Sequence, residues 1–187
     1  MLPRRHLLAV LTGLAAAGCA GPGADLPLLP APNIADYRLG AGDQVRIITY
    51  GEEQLTGEFR VNDAGAIALP LVGSVQAAGL TTGGLEKAVT TALTRAQLYR
   101  NPSVTVEITA YRPIYVLGEV NKPGQYPYQP GMTVVTAVAV AGGFTYRAIE
   151  DYADIVRTTG KTPTEGRALR SSYVQPGDAV TIYERRF

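Results

Sequence analysis

Few residues of this chain have types and spacings that could do chemistry. The carboxylates Glu52, Glu53, Glu58, Asp63, Glu150, Asp151 and Asp154 could supply the pair that flanks a glycosidic bond during hydrolysis. No spacing among them selects a pair. Thr159-Gly160-Lys161-Thr162 ends like a phosphate-binding loop, but Ile155 stands where that motif needs its first glycine. Gly40-Ala-Gly42 begins like a dinucleotide fingerprint. Val45 occupies its third glycine position, and the residues that follow predict a strand where a helix is required. His6 is the only histidine and Cys19 the only cysteine. Cleavage before Cys19 removes His6, and with it Ser-His-Asp and Cys-His catalysis and the usual zinc ligand sets. The expectation is a protein without catalytic residues, metal or cofactor. Tyrosines are the remaining candidates. Tyr115, Tyr126 and Tyr128 cluster in one segment, where rings could stack on sugars and hydroxyls could meet sugar hydroxyls. Tyrosine is also a strand former and an interface residue, so a glycan contact and a structural or subunit contact both stay open.

Cys19 has its own chemistry. Arg4 and Arg5 precede an apolar run from Leu7 to Ala17, shorter than the ~20 residues of a bilayer-spanning helix. Ala16-Ala17-Gly18-Cys19 then resembles a lipobox, with Ala16 where leucine is usual. The expectation is a signal peptide over 1–18 and a lipidated Cys19, exported by the general route or, through Arg4-Arg5, the twin-arginine route. Ala20 follows, with no aspartate there to signal inner-membrane retention. Residues 19–36 form the anchor and a Pro/Gly/Ala-rich tether, in which Pro22, Pro27, Pro30 and Pro32 oppose regular structure. Net charge is +1 with scattered charges, which gives no footprint for nucleic acid.

The elements that must position these residues follow from periodicity. Gln44–Tyr50 and Glu58–Val61 read as strands, and Asn62-Asp63-Ala64-Gly65 as a turn continuing into a hairpin with Ala66–Leu69. Val72–Val75 is a further short strand. Leu85, Ala88, Val89, Ala92, Leu93, Ala96 and Tyr99 share one helical face, capped near Thr81-Thr82-Gly83-Gly84 and stopped at Asn101-Pro102. Val104, Val106 and Ile108 face the core from the next strand. Ile114, Val116, Gly118 and Val120 alternate with Tyr115, Leu117 and Glu119. Lys122-Pro123-Gly124-Gln125 and Gln129-Pro130-Gly131-Met132 both fit type II turns, which need φ > 0 at the third residue. Thr133 caps a short helix ending at Gly142-Gly143. Ala153–Thr158 and Ala179–Tyr183 are strands, and Gly160–Ser172 is polar and loop-like. Gly177-Asp178 before the last strand mirrors Gly42-Asp43 before the first, the same turn-into-strand device used twice. The class is α+β, with two small domains over 37–111 and 112–187.

A family resemblance rests on these motifs in order. The run Tyr37-Arg-Leu-Gly-Ala-Gly-Asp, then Val61-Asn-Asp-Ala-Gly-Ala-Ile-Ala-Leu-Pro-Leu-Val-Gly, then Asn101-Pro-Ser-Val-Thr-Val resembles the polysaccharide export sequence (PES) domain. Arg112 to Phe144 resembles an SLBB domain, a soluble-ligand-binding β-grasp. Together, behind a lipobox, they resemble the outer-membrane polysaccharide export lipoproteins. Larger relatives continue with more SLBB repeats and a C-terminal helix, so the chain is expected to be a short form. The resemblance implies a periplasm-facing lipoprotein of the outer membrane, in a ring of identical subunits. The implied partners are an inner-membrane polysaccharide co-polymerase and the exported polymer. In that ring the turns at Pro123, Gly124, Pro130 and Gly131 would be assembly contacts. The alternative is a lipid-anchored periplasmic glycan- or ligand-binding module that forms no channel.

Overall fold

The computed structural model describes residues 21–31, 37–160 and 162–185. The leader and Cys19 lie outside them. Among the described residues no helix is long and apolar enough to cross a membrane.

Two hydrophobic cores organise the chain. The first begins with strand β1 (Gln44–Thr49), which lies between β2 (Gly57–Arg60) and β5 (Val104–Ala110) in an antiparallel sheet. Val45 and Ile47 point inward from β1 and are fully buried. Helix α1 (Thr82–Arg95) lays Leu85, Val89 and Leu93 against them. Each such side chain stabilises the lobe by about 1.5–3 kcal/mol. Thr81 caps α1 by accepting a hydrogen bond from the Gly84 N–H at 3.1 Å. The helix stops short of Asn101-Pro102, because Ala96 caps it and Gln97 turns left-handed at φ 57°. Tyr99 therefore lies beyond the helix. The expected β2 hairpin is also corrected. β3 (Ala66–Leu69) pairs with β4 (Gly73–Gln76) in a separate ribbon, while β2 pairs with β1.

The second core lies between a five-stranded sheet and α2 (Val134–Val140). Strand order is β7 (Gly124–Tyr126), β6 (Ile114–Gly118), β10 (Ala179–Ile182), β8 (Tyr152–Thr159), β9 (Thr162–Leu169), with β6 and β10 parallel. Ile114, Val116, Ile155, Val180 and Ile182 face Val134, Ala137 and Val138. Thr133 caps α2 with a reciprocal bond to Thr136, and Gly142 and Gly143 end it at φ 84° and 88°. Gly118 tolerates no side chain: at φ 80° its Cβ would overlap the Ile182 carbonyl oxygen.

Three expectations in this lobe are corrected. Gly160–Ser172 holds β9, an edge strand registered along the whole of β8. Pro163 and Glu165 interrupt apolar alternation there, as sheet edges commonly do. Second, Gly124 is not the left-handed corner of a turn. It pairs with Val116 in β7 and is absent from the positive-φ glycines. The chain reverses earlier, where the Asn121 and Lys122 N–H groups donate to the Gly143 and Ala141 carbonyls at the end of α2. By contrast Gly131, at φ 81° with Met132 N–H donating to Gln129 oxygen at 3.0 Å, has the expected turn geometry. Third, the tether is partly ordered against β9. Arg167 N–H donates to the Pro27 carbonyl at 2.8 Å and Leu29 N–H to the Arg167 carbonyl at 2.9 Å, a parallel bridge at Leu28. Gly166 makes room for it, since a Cβ there would lie 2.8 Å from the Pro27 oxygen.

Candidate functional site

The two Gly-Asp turns meet at the seam between the lobes. In the first, Gly40 N–H donates to Asp43 Oδ2 at 2.8 Å while Asp43 N–H donates to the Gly40 carbonyl at 3.1 Å. In the second, Gln175 N–H donates to Asp178 Oδ2 at 2.7 Å and Asp178 N–H to the Gln175 carbonyl at 3.0 Å. Gly42 and Gly177 take φ 96° and 86° in the third position of each turn. Both aspartates are buried, and a buried carboxylate needs a cation. Arg157 serves Asp178 through two bonds of 3.0 and 2.7 Å. Arg112 serves Asp43, with Nη1 at 3.3 Å and its own N–H on Oδ1 at 2.8 Å.

Arg112 also crosses the seam. Its Nε donates to the Pro176 carbonyl at 2.9 Å, beside the second turn. Gly40 and Gly177 are glycines partly because the guanidinium occupies their side-chain space. An aromatic ladder runs alongside: Tyr37 and Tyr111 meet edge to face at 5.1 Å, and Tyr111 and Tyr128 at 5.3 Å. Burial, then the 2.6 Å hydrogen bond to Asp43, push the Tyr37 hydroxyl far above its ordinary range, so it is a fixed donor. The arrangement ties the two lobes together.

The structure separates the tyrosines that sequence brought together. Tyr115 is exposed on the outer face of the second sheet, beside Leu117. Tyr126 and Tyr128 lie on the opposite side, packed against the second core. Tyr126 donates to the Lys122 carbonyl at 2.5 Å. The turns separate as well. Pro130 and Gly131 follow Tyr128 at the seam, whereas Pro123 and Gly124 lie at the opposite end of the lobe, where Gly124 pairs with Val116.

Of the carboxylates, Asp154 gains a partner that the sequence hides. It is buried on β8, and Glu165 on β9 shares its face. Burial, then hydrogen bonding to Glu165, push Asp154 up to about 6. Tyr183 donates to it at 3.5 Å. The N-terminal segment closes this site: Arg167 Nη1 donates to the Ala24 carbonyl at 2.8 Å, and Tyr152 donates to the Pro22 carbonyl at 3.0 Å. Glu150 is salt-bridged to Arg170 at 3.8 Å and Arg185 at 3.9 Å. Among the described residues no group of three histidine, cysteine or acidic side chains could hold a metal ion.

Comparison with known proteins matches this two-lobe order. Residues 31–109 match the family model described as polysaccharide biosynthesis/export protein, and residues 113–166 match the SLBB domain. The chain belongs to the polysaccharide export family. It is 35% identical over 148 residues to the exopolysaccharide production protein ExoF of Rhizobium meliloti, covering 73% of this chain and 32% of that one. It is 32% identical over 133 residues to the EPS I polysaccharide export outer membrane protein EpsA of Ralstonia solanacearum, covering 57% and 35%. It is 30% identical over 128 residues to the polysialic acid transport protein KpsD of Escherichia coli, covering 67% and 22%. This family member thus spans about a third or less of the length of these relatives.

Proposed function

We propose that this chain is a lipid-anchored subunit of an oligomeric conduit that exports a capsular or extracellular polysaccharide, held at the periplasmic face of the outer membrane through Cys19. Family membership and the polysaccharide roles in the relatives' names support the export. The observation that carries the arrangement is the docking of the N-terminal segment. Gly21 lies against Tyr152, and Gly23 against the Tyr183 ring. Tyr152 and Tyr183 are at the end of the second lobe farthest from Arg112, because β6 and β10 both run away from the seam. Cys19 is two residues from Gly21, a reach of about 7 Å at most. Acyl chains there, each buried CH₂ contributing about 0.8 kcal/mol, would hold the second lobe at the membrane and direct the first into the periplasm.

The proposed activity is passage of a polymer, with no bond made or broken. The described residues form two lobes, each filled by its own hydrophobic core, so a polymer lumen has to lie between several copies. Tyr115 and Leu117, exposed on the outer sheet face, and the turns at Pro123 and Pro130 are surfaces for neighbouring subunits and for an inner-membrane co-polymerase. The test is a strain lacking the gene, complemented by the wild type or by Cys19→Ser. Loss of surface polysaccharide in the null strain, restored only by the lipidated form, is expected, with an oligomer by native mass spectrometry in detergent and in lipid. Normal surface polysaccharide in the null strain overturns the export reading. A monomer in both media overturns the conduit and leaves a binding module.

A further inference from the structure

The tip of the first lobe, at the end opposite the seam, carries a cleft that neither the fold nor the seam explains. β1 runs from the seam to Thr49, and β5 returns from Val104, so Thr49–Glu52 and Tyr99–Ser103 meet there. Tyr50 is 86% exposed, although its backbone is hydrogen-bonded in place. Tyr50 N–H donates to the Ser103 carbonyl at 3.0 Å, Glu52 N–H to the Thr49 carbonyl at 3.0 Å, and Thr56 Oγ1 to the Glu52 carbonyl at 3.1 Å. Gly51, at φ 79°, makes the corner. A large ring held in solvent on a hydrogen-bonded loop contributes little to this lobe's core, but it is prepared for stacking.

The cleft beside it has a volume of about 200 Å³ and is lined by Thr49, Tyr50, Glu52, Tyr99, Arg100 and Asn101, among others. A broader, open depression on the other side of the loop shares Thr49, Tyr50 and Glu52, so Tyr50 stands between two hollows. Thr49 forms the floor beneath Tyr50. It is 2% exposed, and its Oγ1 has no hydrogen-bond partner. Thr49 is among the residues lining both hollows, with its hydroxyl turned to the same buried face as Val45 and Ile47. Hydrogen bonding to Glu52 pushes the Tyr99 hydroxyl up, which keeps it a donor at the rim.

We propose that this tip is a saccharide-binding subsite, in which a pyranose ring stacks on Tyr50 and its hydroxyls meet Glu52, Arg100 and Asn101. The choice of a saccharide rests on the export reading and on the lining. Guanidinium donors, carboxylate acceptors and an amide that does both match hydroxyl groups, which are themselves donors and acceptors. The volume is below the ~300–1,000 Å³ of drug-sized pockets, which suits one ring of a longer chain. One carboxylate opposite one guanidinium admits neutral and acidic sugars.

The test titrates the full-length mature protein in detergent with cellotetraose and with a sialic acid tetramer, following amide shifts by NMR and heat by calorimetry. Saturable shifts confined to residues 49–56 and 99–103 with either sugar are expected. Tyr50→Ala should weaken binding roughly tenfold, about 1.4 kcal/mol, while Tyr50→Phe keeps the stack and the affinity. No shift at the tip with either sugar, or equal affinity of Tyr50→Ala and wild type, overturns the subsite. Shifts produced only by the periplasmic domain of a co-polymerase assign the tip to a protein contact and overturn it too. The export reading is decided separately, by surface polysaccharide in the null strain, so its failure is distinguishable from failure of the subsite.

Discussion

Replacing Arg112 with alanine tests whether one side chain locks the two lobes. Asp43 is 0% exposed and accepts from Tyr37 Oη at 2.6 Å, Gly40 N–H at 2.8 Å, Arg112 N–H at 2.8 Å and Arg112 Nη1 at 3.3 Å. The substitution removes only the last of these, together with the charge. Removing one partner of a buried ion pair costs about 3–5 kcal/mol. Three surviving hydrogen bonds and a longish 3.3 Å contact put this case at or below the lower limit. The Nε bond to Pro176 adds about 1 kcal/mol. The sum is about 3 kcal/mol, or a fall in Tm of about 6–12 °C for a chain of this size. The loss falls on the seam, so calorimetry should show one transition in the wild type and two in the variant. Small-angle scattering should show a larger radius of gyration. Arg112→Lys keeps a cation but not the bond to Pro176, and should fall between. An unchanged Tm together with an unchanged scattering curve would refute the lock.

Two further predictions follow from individual residues. Asp154, pushed up to about 6 by burial and then by Glu165, binds its proton more tightly folded than unfolded. The contribution of Asp154 to stability is therefore fully present at or below pH ~4 and is lost as pH rises to about 6, by about 3 kcal/mol in all. Urea melts at pH ~4 and ~7 should show most of this loss, and Asp154→Asn should abolish it and be the more stable protein at pH ~7. Gly131→Val should cost about 1–3 kcal/mol, because a β-branched residue resists φ 81°. Gly124→Val should change stability by less than about 0.5 kcal/mol, since it lies in a strand and a Cβ there meets nothing within 4 Å. Equal effects at the two glycines by thermal melting would refute this distinction.

What the sequence made legible was what depends on short-range periodicity and on turn chemistry. The face of α1 at Leu85, Val89 and Leu93, the caps at Thr81 and Thr133, and the inward set Ile114, Val116 and Val120 all follow from spacing. The paired Gly-Asp turns were also visible, but not that they meet. Nothing local links Arg112 to Pro176. β9 stayed hidden because an edge strand with Pro163, Glu165 and Gly166 carries no apolar alternation, and its existence is decided by pairing with β8. Glu165 was missed with it, and so was the acid pair. The docked Pro27–Leu29 segment is unreadable for the same reason: a proline-rich stretch becomes strand-like only where an unpaired sheet edge accepts it.

The repeated turn has a mechanical consequence. β1 and β10 each start at a buried aspartate beside Arg112 and run away from the seam, one to the Tyr50 tip and the other to the end where Gly21 docks. The two central strands thus leave the seam from neighbouring turns tied together by one guanidinium. Each lobe resists bending through its own sheet and helix, so the seam is the compliant place. A force applied between tip and anchor is carried at the seam by the chain itself, by the Tyr37–Tyr111–Tyr128 ladder and by three polar contacts of Arg112: the ion pair, its N–H bond to Asp43 and the Nε bond to Pro176. These contacts are directional and partly shielded from water, since the Arg112 side chain is 23% exposed. They fix an angle more sharply than an apolar contact of the same area, which permits sliding. In the proposed conduit every subunit must present the same angle for a ring to close. Uniform geometry at this seam is the physical reason for placing a buried charge pair between two lobes that each have a core of their own.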